Sequence, residues 1–219
     1  MTDRHTEPDW SNSALIIIDV QRDFTLRDGT ICIPGTMEIV PFIRRLTSAY
    51  RSASLPIVHI VRLYLKDGSN VDLCRRARVE EGVGILEPYT EGSQIMEELL
   101  PSPSILLDPA CLLNGKPQPI GNREWIIYKP RWGAFFKTPL EEHLLQLRVN
   151  TLILSGCNFP NCPRTTIYQA SERDFRIVLI ADAMSGVYDR GIQELQGIGV
   201  NVMTTDACES ILKSLGARD

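Results

Sequence analysis

Short unbroken runs of apolar residues alternate along this chain with longer stretches of helical spacing, and no other feature restricts its fold as much. Ala14–Val20 is apolar at every position except Asp19, so it reads as a strand buried on both faces and ended by a carboxylate. Pro56–Arg62, Glu124–Lys129, Thr151–Ser155, Arg176–Ala181 and Val200–Thr204 repeat the pattern. Between them, Met37–Ser54 places Ile39, Ile43, Leu46 and Tyr50 on one helical face. Further helices are predicted at Thr138–Leu147, opened by a Thr138/Glu141 capping box, and at Pro163–Arg173, Asp189–Leu195 and Asp206–Ser214. A strand that is apolar on both faces needs cover on both faces. The expectation is therefore a three-layer α/β/α fold, Rossmann-like, with a six-stranded, mainly parallel sheet. No repeat or linker divides the sequence, so residues 1–219 read as one domain, with 1–12 a flexible tail.

The segment from Leu65 to Arg123 interrupts this rhythm. It is rich in Gly and Pro, with one helix expected at Ser93–Leu100. Long connections of this kind are uncommon unless they have a function. A lid, a subunit contact and a solvated insertion are all compatible with its composition.

Charge and hydropathy narrow the functional classes. A net charge of -4 and a pI near 5.5 leave no electrostatic footprint for nucleic acid. The basic pairs Arg44-Arg45 and Arg75-Arg76 read as solvated faces. No apolar run is long enough to span a bilayer, and the polar N-terminus lacks the apolar region of a secretory signal. A cytoplasmic protein with no membrane partner is expected. The six cysteines contain no CxxC pair, which in that setting suggests reduced thiols.

Reactive residues collect at the carboxyl ends of the predicted strands, where open α/β sheets bind their ligands. Asp19 follows the first strand, Lys129 the third, and Cys162 closes the turn after the fourth. Pro163 suits the first helical position and so puts Cys162 at an N-cap, facing the positive end of a helix. Such a setting, with a cation nearby, lowers a thiol pKa and enriches the nucleophilic thiolate. Asp19 is a base and Lys129 a cation, the two accessories an attacking thiol requires. The turn Gly156–Cys162 is of the kind that aims backbone N–H groups into one spot, as an oxyanion hole does.

These residues also resemble the isochorismatase-like cysteine hydrolases. Asp19-Val-Gln-Arg-Asp-Phe24 is similar to the opening Asp-x-Gln-x-Asp-Phe signature, and Lys129-Pro-Arg-Trp-Gly-Ala-Phe-Phe-Lys-Thr-Pro-Leu140 to the lysine block. Ser155-Gly-Cys-Asn-Phe-Pro-Asn-Cys162, followed by Thr165, Thr166 and Ala170, resembles the nucleophile turn and helix. The three blocks stand in family order across Ala14–Ala183. The resemblance implies the isochorismatase-like hydrolase fold, with Cys162 attacking a carbonyl-type carbon, Asp19 moving the proton and Lys129 holding Asp19. It also implies a cis peptide between Cys157 and Asn158 and an oxyanion hole made by the N–H groups of Asn158 and Cys162. Dimers or tetramers through the long connection are a further implication. Phe159-Pro160 and Pro163 depart from the family pattern, which loosens inference about substrate. A cysteine at position 162 favours cleavage of a C–N bond in a small amide, carbamoyl or ureido compound over vinyl-ether hydrolysis.

Around this core, Phe24 is expected beneath Asp19. Trp132 and Phe135 read either as an apolar wall of a pocket or as core or subunit contacts. Arg62 reads either as a carboxylate grip or as a surface residue. His5, His59 and His143 have no partner at ligand spacing, so neither a metal nor a cofactor is expected, and His59 reads as a hydrogen-bonded core residue. A Rossmann dehydrogenase would need a glycine-rich turn after the first strand, and none is present. A non-catalytic or redox-sensing protein on the same fold is the remaining alternative.

Overall fold

The computed structural model describes residues 3–216. In chain order its elements are β1 (Ser13–Ile18), α1 (Arg22–Thr25), α2 (Thr36–Ser52), β2 (Ile57–Val61), α3 (Leu73–Glu80), α4 (Pro109–Leu113), β3 (Gln118–Gly121) and β4 (Glu124–Tyr128). There follow α5 (Leu140–Gln146), β5 (Thr151–Gly156), α6 (Cys162–Ser171), β6 (Arg176–Met184), α7 (Asp189–Gln196), β7 (Asn201–Met203) and α8 (Thr205–Gly216). The sheet order is β3-β4-β2-β1-β5-β6-β7, parallel except for β3.

Alternation along the strands divides the core into two layers. Leu15 and Ile17 of β1 pack with Ile39, Ile43, Leu46 and Tyr50 of α2 and with Cys208 and Leu212 of α8. Ala14, Ile16 and Ile18 face the other way, against Leu140 and Leu144 of α5, Ile167 and Ala170 of α6 and Leu195 of α7. Both faces of β1 are closed to solvent, so its run of isoleucines is buried throughout. A third, smaller cluster of Phe24, Tyr64, Val71, Val79, Ile85, Leu86 and Cys157 includes residues of α1, α3 and the loop after α3. No helix among the described residues is long and apolar enough to cross a membrane.

Several expectations are corrected. The sheet has seven strands rather than six: β3 is a short antiparallel edge containing Pro119, a position where a missing donor is tolerated. The Ser93–Leu100 helix is reduced to a 3-10 turn at Glu97–Leu99. Its first half is a turn leading into a single bridge of Ile95 with Gln21 instead, because Gln94 O accepts from Arg22 N at 2.8 Å and Met96 N donates to Val20 O at 3.2 Å. The Thr138/Glu141 capping box does not form, since Thr138 Oγ1 donates to Ala134 O at 2.5 Å and α5 starts at Leu140. The 1–12 tail is docked over residues 3–12: Asp9 N donates to Thr151 Oγ1 at 3.0 Å, and Trp10 packs on the α2/α8 layer. Met1 and Thr2 lie outside the described residues.

Candidate active site

The chain runs β1, β2, β4 in one direction and β5, β6, β7 in the other, so the topology reverses between β1 and β5. In open parallel sheets the crevice beyond the carboxyl ends at such a reversal is the usual ligand site. Gly156, at the end of β5, sits against β1: its φ is +118°, and a Cβ there would lie 2.2 Å from Ile18 O. Cys157 N then donates to Ile18 O at 2.8 Å. This close approach brings the turn that carries Cys162 beside Asp19.

Asp19 itself has φ +55°, a left-handed conformation that Asp tolerates better than most residues. Strain of this kind collects at functional sites. The first motif holds the strand end through its other members. Gln21 accepts from Arg62 N at 2.7 Å and donates to Arg62 O and Ser93 O, while Asp23 accepts from Leu86 N at 2.7 Å. Phe24 lies in the cleft wall.

Lys129, entered from β4 with its N–H on Val61 O, reaches across the end of β2 to Asp19. Its ammonium donates to Asp19 Oδ2 at 2.7 Å, and both side chains are withdrawn from solvent. Asp19 Oδ1 is buried with no hydrogen-bond partner. The lysine block continues onto α6, where Ala134 N donates to Thr166 Oγ1 at 3.1 Å and Phe135 N to Gln169 Oε1 at 3.0 Å. Phe135 is thereby a core residue of the α5/α6/α7 layer, whereas Trp132 lines the cleft.

Cys162 is the first residue of α6 and Asn161 is its N-cap, so the helix begins one position earlier than the sequence suggests. Pro163 occupies the second position without penalty, because that N–H would have no intrahelical acceptor in either case. In the turn, Phe159 N donates to Ser185 O at 2.8 Å and Asn161 N to Asn158 O at 3.1 Å, while the N–H groups of Asn158 and Cys162 appear in no backbone bond. Two spare donors are thus present where the resemblance places an oxyanion hole. The implied cis peptide is not found: the Cys157–Asn158 bond is trans, as are all bonds among the described residues. Gly156 and the unusual Asn161 backbone, φ −116° and ψ −104°, turn the chain instead.

The electrostatics correct a second expectation. Burial pushes the Cys162 thiol pKa up, and Asp19 pushes it further, outweighing the downward pull of Lys129 and Arg62. The resting side chain is therefore a thiol, not a standing thiolate, and its proton has a carboxylate beside it. Arg62 is fully buried rather than at the surface: it is ion-paired with Asp72, and its Nη2 lies 3.9 Å from Cys162 Sγ. Arg62 is not among the residues that enclose the cavity beside Cys162, and its guanidinium is engaged by Asp72.

Asp19, Phe24, Ile33, Arg75, Trp132, Cys157, Asn158, Asn161 and Cys162 enclose a cavity of about 10 Å3, room for roughly one water. A groove of about 560 Å3 opens on the outer side of Trp132. Arg75 is the residue that sequence reasoning missed. The Arg75-Arg76 pair reads as solvated, yet Val79, four positions on in the same helix, is buried, and that spacing puts Arg75 on the face of α3 turned toward the cleft. His59 is hydrogen-bonded in the core, 2.7 Å from Glu124 Oε1. Among the described residues no group of three or more His, Cys, Asp or Glu is placed to hold a metal ion, and all six cysteines are free.

Similarity to known proteins extends over most of the chain. A family model described as the isochorismatase domain matches residues 13–107 and 110–207. The chain is 28% identical over 201 residues to a probable inactive nicotinamidase of Arabidopsis thaliana, covering 89% of this chain and 93% of that protein. It is 26% identical over 206 residues to an N-carbamoylsarcosine amidase of Arthrobacter sp, covering 92% and 72% respectively. A crystal structure of an isochorismatase family protein from Desulfovibrio vulgaris superposes with a TM-score of 0.78 at 30% identity, covering 92% of this chain and 98% of that one.

Proposed function

This chain belongs to the isochorismatase family, and from that premise we propose that it is a cysteine-dependent hydrolase that cleaves a C–N bond of a small amide, carbamoyl or ureido compound. The observation that carries the reading is the unpartnered Oδ1 of Asp19, beside the Cys162 thiol, on a carboxylate whose other oxygen is held by Lys129.

In the proposed reaction Asp19 takes the thiol proton as Sγ attacks the carbonyl carbon. Coupling the two events avoids the cost of a free thiolate in a buried site. The N–H groups of Asn158 and Cys162 receive the oxyanion; one such donor is typically worth about 2.7–4 kcal/mol of barrier. Asp19 returns the proton to the leaving nitrogen, and the amine or ammonia departs, leaving a thioester. Asp19 then accepts a proton from water, which attacks the thioester, and the acid is released with the thiol restored. Lys129 keeps Asp19 oriented and offsets its charge throughout. The amidase and nicotinamidase names among the relatives support the choice of a C–N bond.

A second reading, a non-catalytic member of the family, is favoured by the size of the resting cavity and by the word "inactive" in one relative's name. An ammonia-release screen over small amides, carbamoyl and ureido compounds, with Cys162→Ala as control, separates the two. Turnover that Cys162→Ala abolishes supports the hydrolase. A screen in which only vinyl ethers or esters react overturns the C–N assignment. No turnover together with a Cys162 that labels with iodoacetamide no faster than Cys111 supports the non-catalytic reading.

A further inference from the structure

We propose that the substrate carries a carboxylate and that Arg75 is the residue that receives it. The proposal rests on the hydrolase reading for the purpose of the cleft and adds the charge of the molecule that enters it.

Charge around the cleft does not balance. Three cations and two carboxylates meet around the cleft. Lys129 is paired with Asp19, and Arg62 with Asp72. Arg75 reaches no carboxylate within ion-pairing distance among the described residues; its one protein hydrogen bond runs from Nη1 to Tyr64 Oη at 2.9 Å. Tyr64 cannot supply the missing negative charge. Its hydroxyl donates to Asp72 Oδ2 at 2.7 Å, and burial pushes its pKa well up, so it stays neutral. One positive charge is therefore left without a carboxylate partner among the described residues, on a half-buried side chain at the cleft wall.

Arg75 is half-buried, so water solvates part of its charge, but a guanidinium that lines the cavity of Cys162 without a protein carboxylate partner is suited to an anionic ligand. Arg75 has five N–H donors and spends one of them on the protein. Its guanidinium lies over the Phe24 ring, 5.3 Å from the centroid, which restrains the side chain at the cleft wall. A planar fork with free donors matches a carboxylate in a two-point contact, which a lysine could not reproduce. The resting cavity of about 10 Å3 holds roughly one water, so a substrate requires the cleft to widen; with its carboxylate on Arg75 the molecule would then extend toward Cys162 and Asn158, which line the same cavity.

Alkylation tests the charge preference without requiring turnover. Iodoacetate and iodoacetamide differ in one group, an anion against a neutral amide, and site-resolved mass spectrometry on the full chain gives their rate ratio at each cysteine. The iodoacetate-to-iodoacetamide ratio at Cys162 should exceed that at exposed Cys32 by roughly tenfold, the size of one charge-assisted hydrogen bond. Arg75→Gln should remove that excess, Arg75→Lys should restore part of it, and Arg78→Gln, on the exposed side of the same helix, should leave it intact. With turnover available, N-carbamoylglycine should be preferred over its methyl ester, and Arg75→Gln should raise KM for the acid far more than it lowers kcat.

Equal ratios at Cys162 and Cys32, or a ratio indifferent to Arg75→Gln, would overturn the proposal even if neutral amides are hydrolysed. An Arg75-dependent preference in a protein that hydrolyses nothing would instead retain the anion site and remove the hydrolase reading.

Discussion

Lys129 Nζ stands 2.7 Å from Asp19 Oδ2, and neither residue is more than marginally exposed. A pair this deeply buried is costly to assemble and costly to break from one side. Its geometry leaves Asp19 with one oxygen committed and one free, the arrangement on which the proposed division between proton transfer by Asp19 and charge stabilisation by Lys129 rests.

Removing the negative charge should separate thiol ionisation from turnover. Asp19→Asn withdraws the carboxylate that, after burial, raises the Cys162 pKa, and leaves Lys129 to favour the thiolate. Iodoacetamide labelling of Cys162 at neutral pH should become several-fold faster in this variant, while ammonia release is lost for want of a base. In the unmodified protein the labelling rate should still be climbing where an ordinary thiol, with a pKa near 8.5, has levelled off. Slower labelling in Asp19→Asn would refute this division of roles.

Lys129→Ala should be damaging twice over. It leaves Asp19 as an uncompensated buried carboxylate, at a cost of about 3–5 kcal/mol, which for a chain of this size lowers Tm on the order of 10 °C. It also removes a cation that favours the thiolate, so labelling of Cys162 in the folded protein should slow. A thermal melt and a labelling time course measure the two effects separately.

Acid sensitivity should centre on Glu124. Burial alone would raise its pKa, but hydrogen bonds from Arg51 and His59 outweigh that and leave it below the ordinary value of 4.5. The folded value is lower than the unfolded one, so the contribution is complete above the unfolded pKa. It is lost as pH falls through the folded value. Stability should therefore decline in the window below pH 4.5, and urea midpoints for Glu124→Gln should show a shallower decline there. An identical acid limb in both proteins would rule the residue out.

Gly156→Ala should cripple the site through the backbone. A Cβ at this φ of +118° would meet Ile18 O at 2.2 Å, so β5 must withdraw from β1 and carry the nucleophile turn away from Asp19. The conformational strain alone costs on the order of 1–3 kcal/mol. Loss of Cys162 reactivity larger than the fall in Tm would suggest is the expected signature. Retention of both would show that the close approach is dispensable.

The sequence by itself determined the layered α/β architecture, because apolar periodicity is a local property that every buried strand and helix must satisfy. The same holds for Asp19, Lys129 and Cys162 at the carboxyl ends of strands, since each lies at the end of a pattern that can be read along the chain. The Leu65–Arg123 segment resisted such reading. Its helix α3 is short and mostly charged, and β3 carries a proline and a glycine, so neither has the periodicity that a long amphipathic element displays.

What only the tertiary structure decided is how charge and solvent are distributed around the sulfur. Cys162 was legible as a candidate nucleophile, but its protonation depends on burial and on Asp19, Lys129 and Arg62, which lie 33 to 143 positions away in the chain. Arg62 and Arg75 moved from an expected surface to the surroundings of the thiol for the same reason. Solvation and Coulomb energies are set by distances through space, and the linear order of residues does not contain those distances.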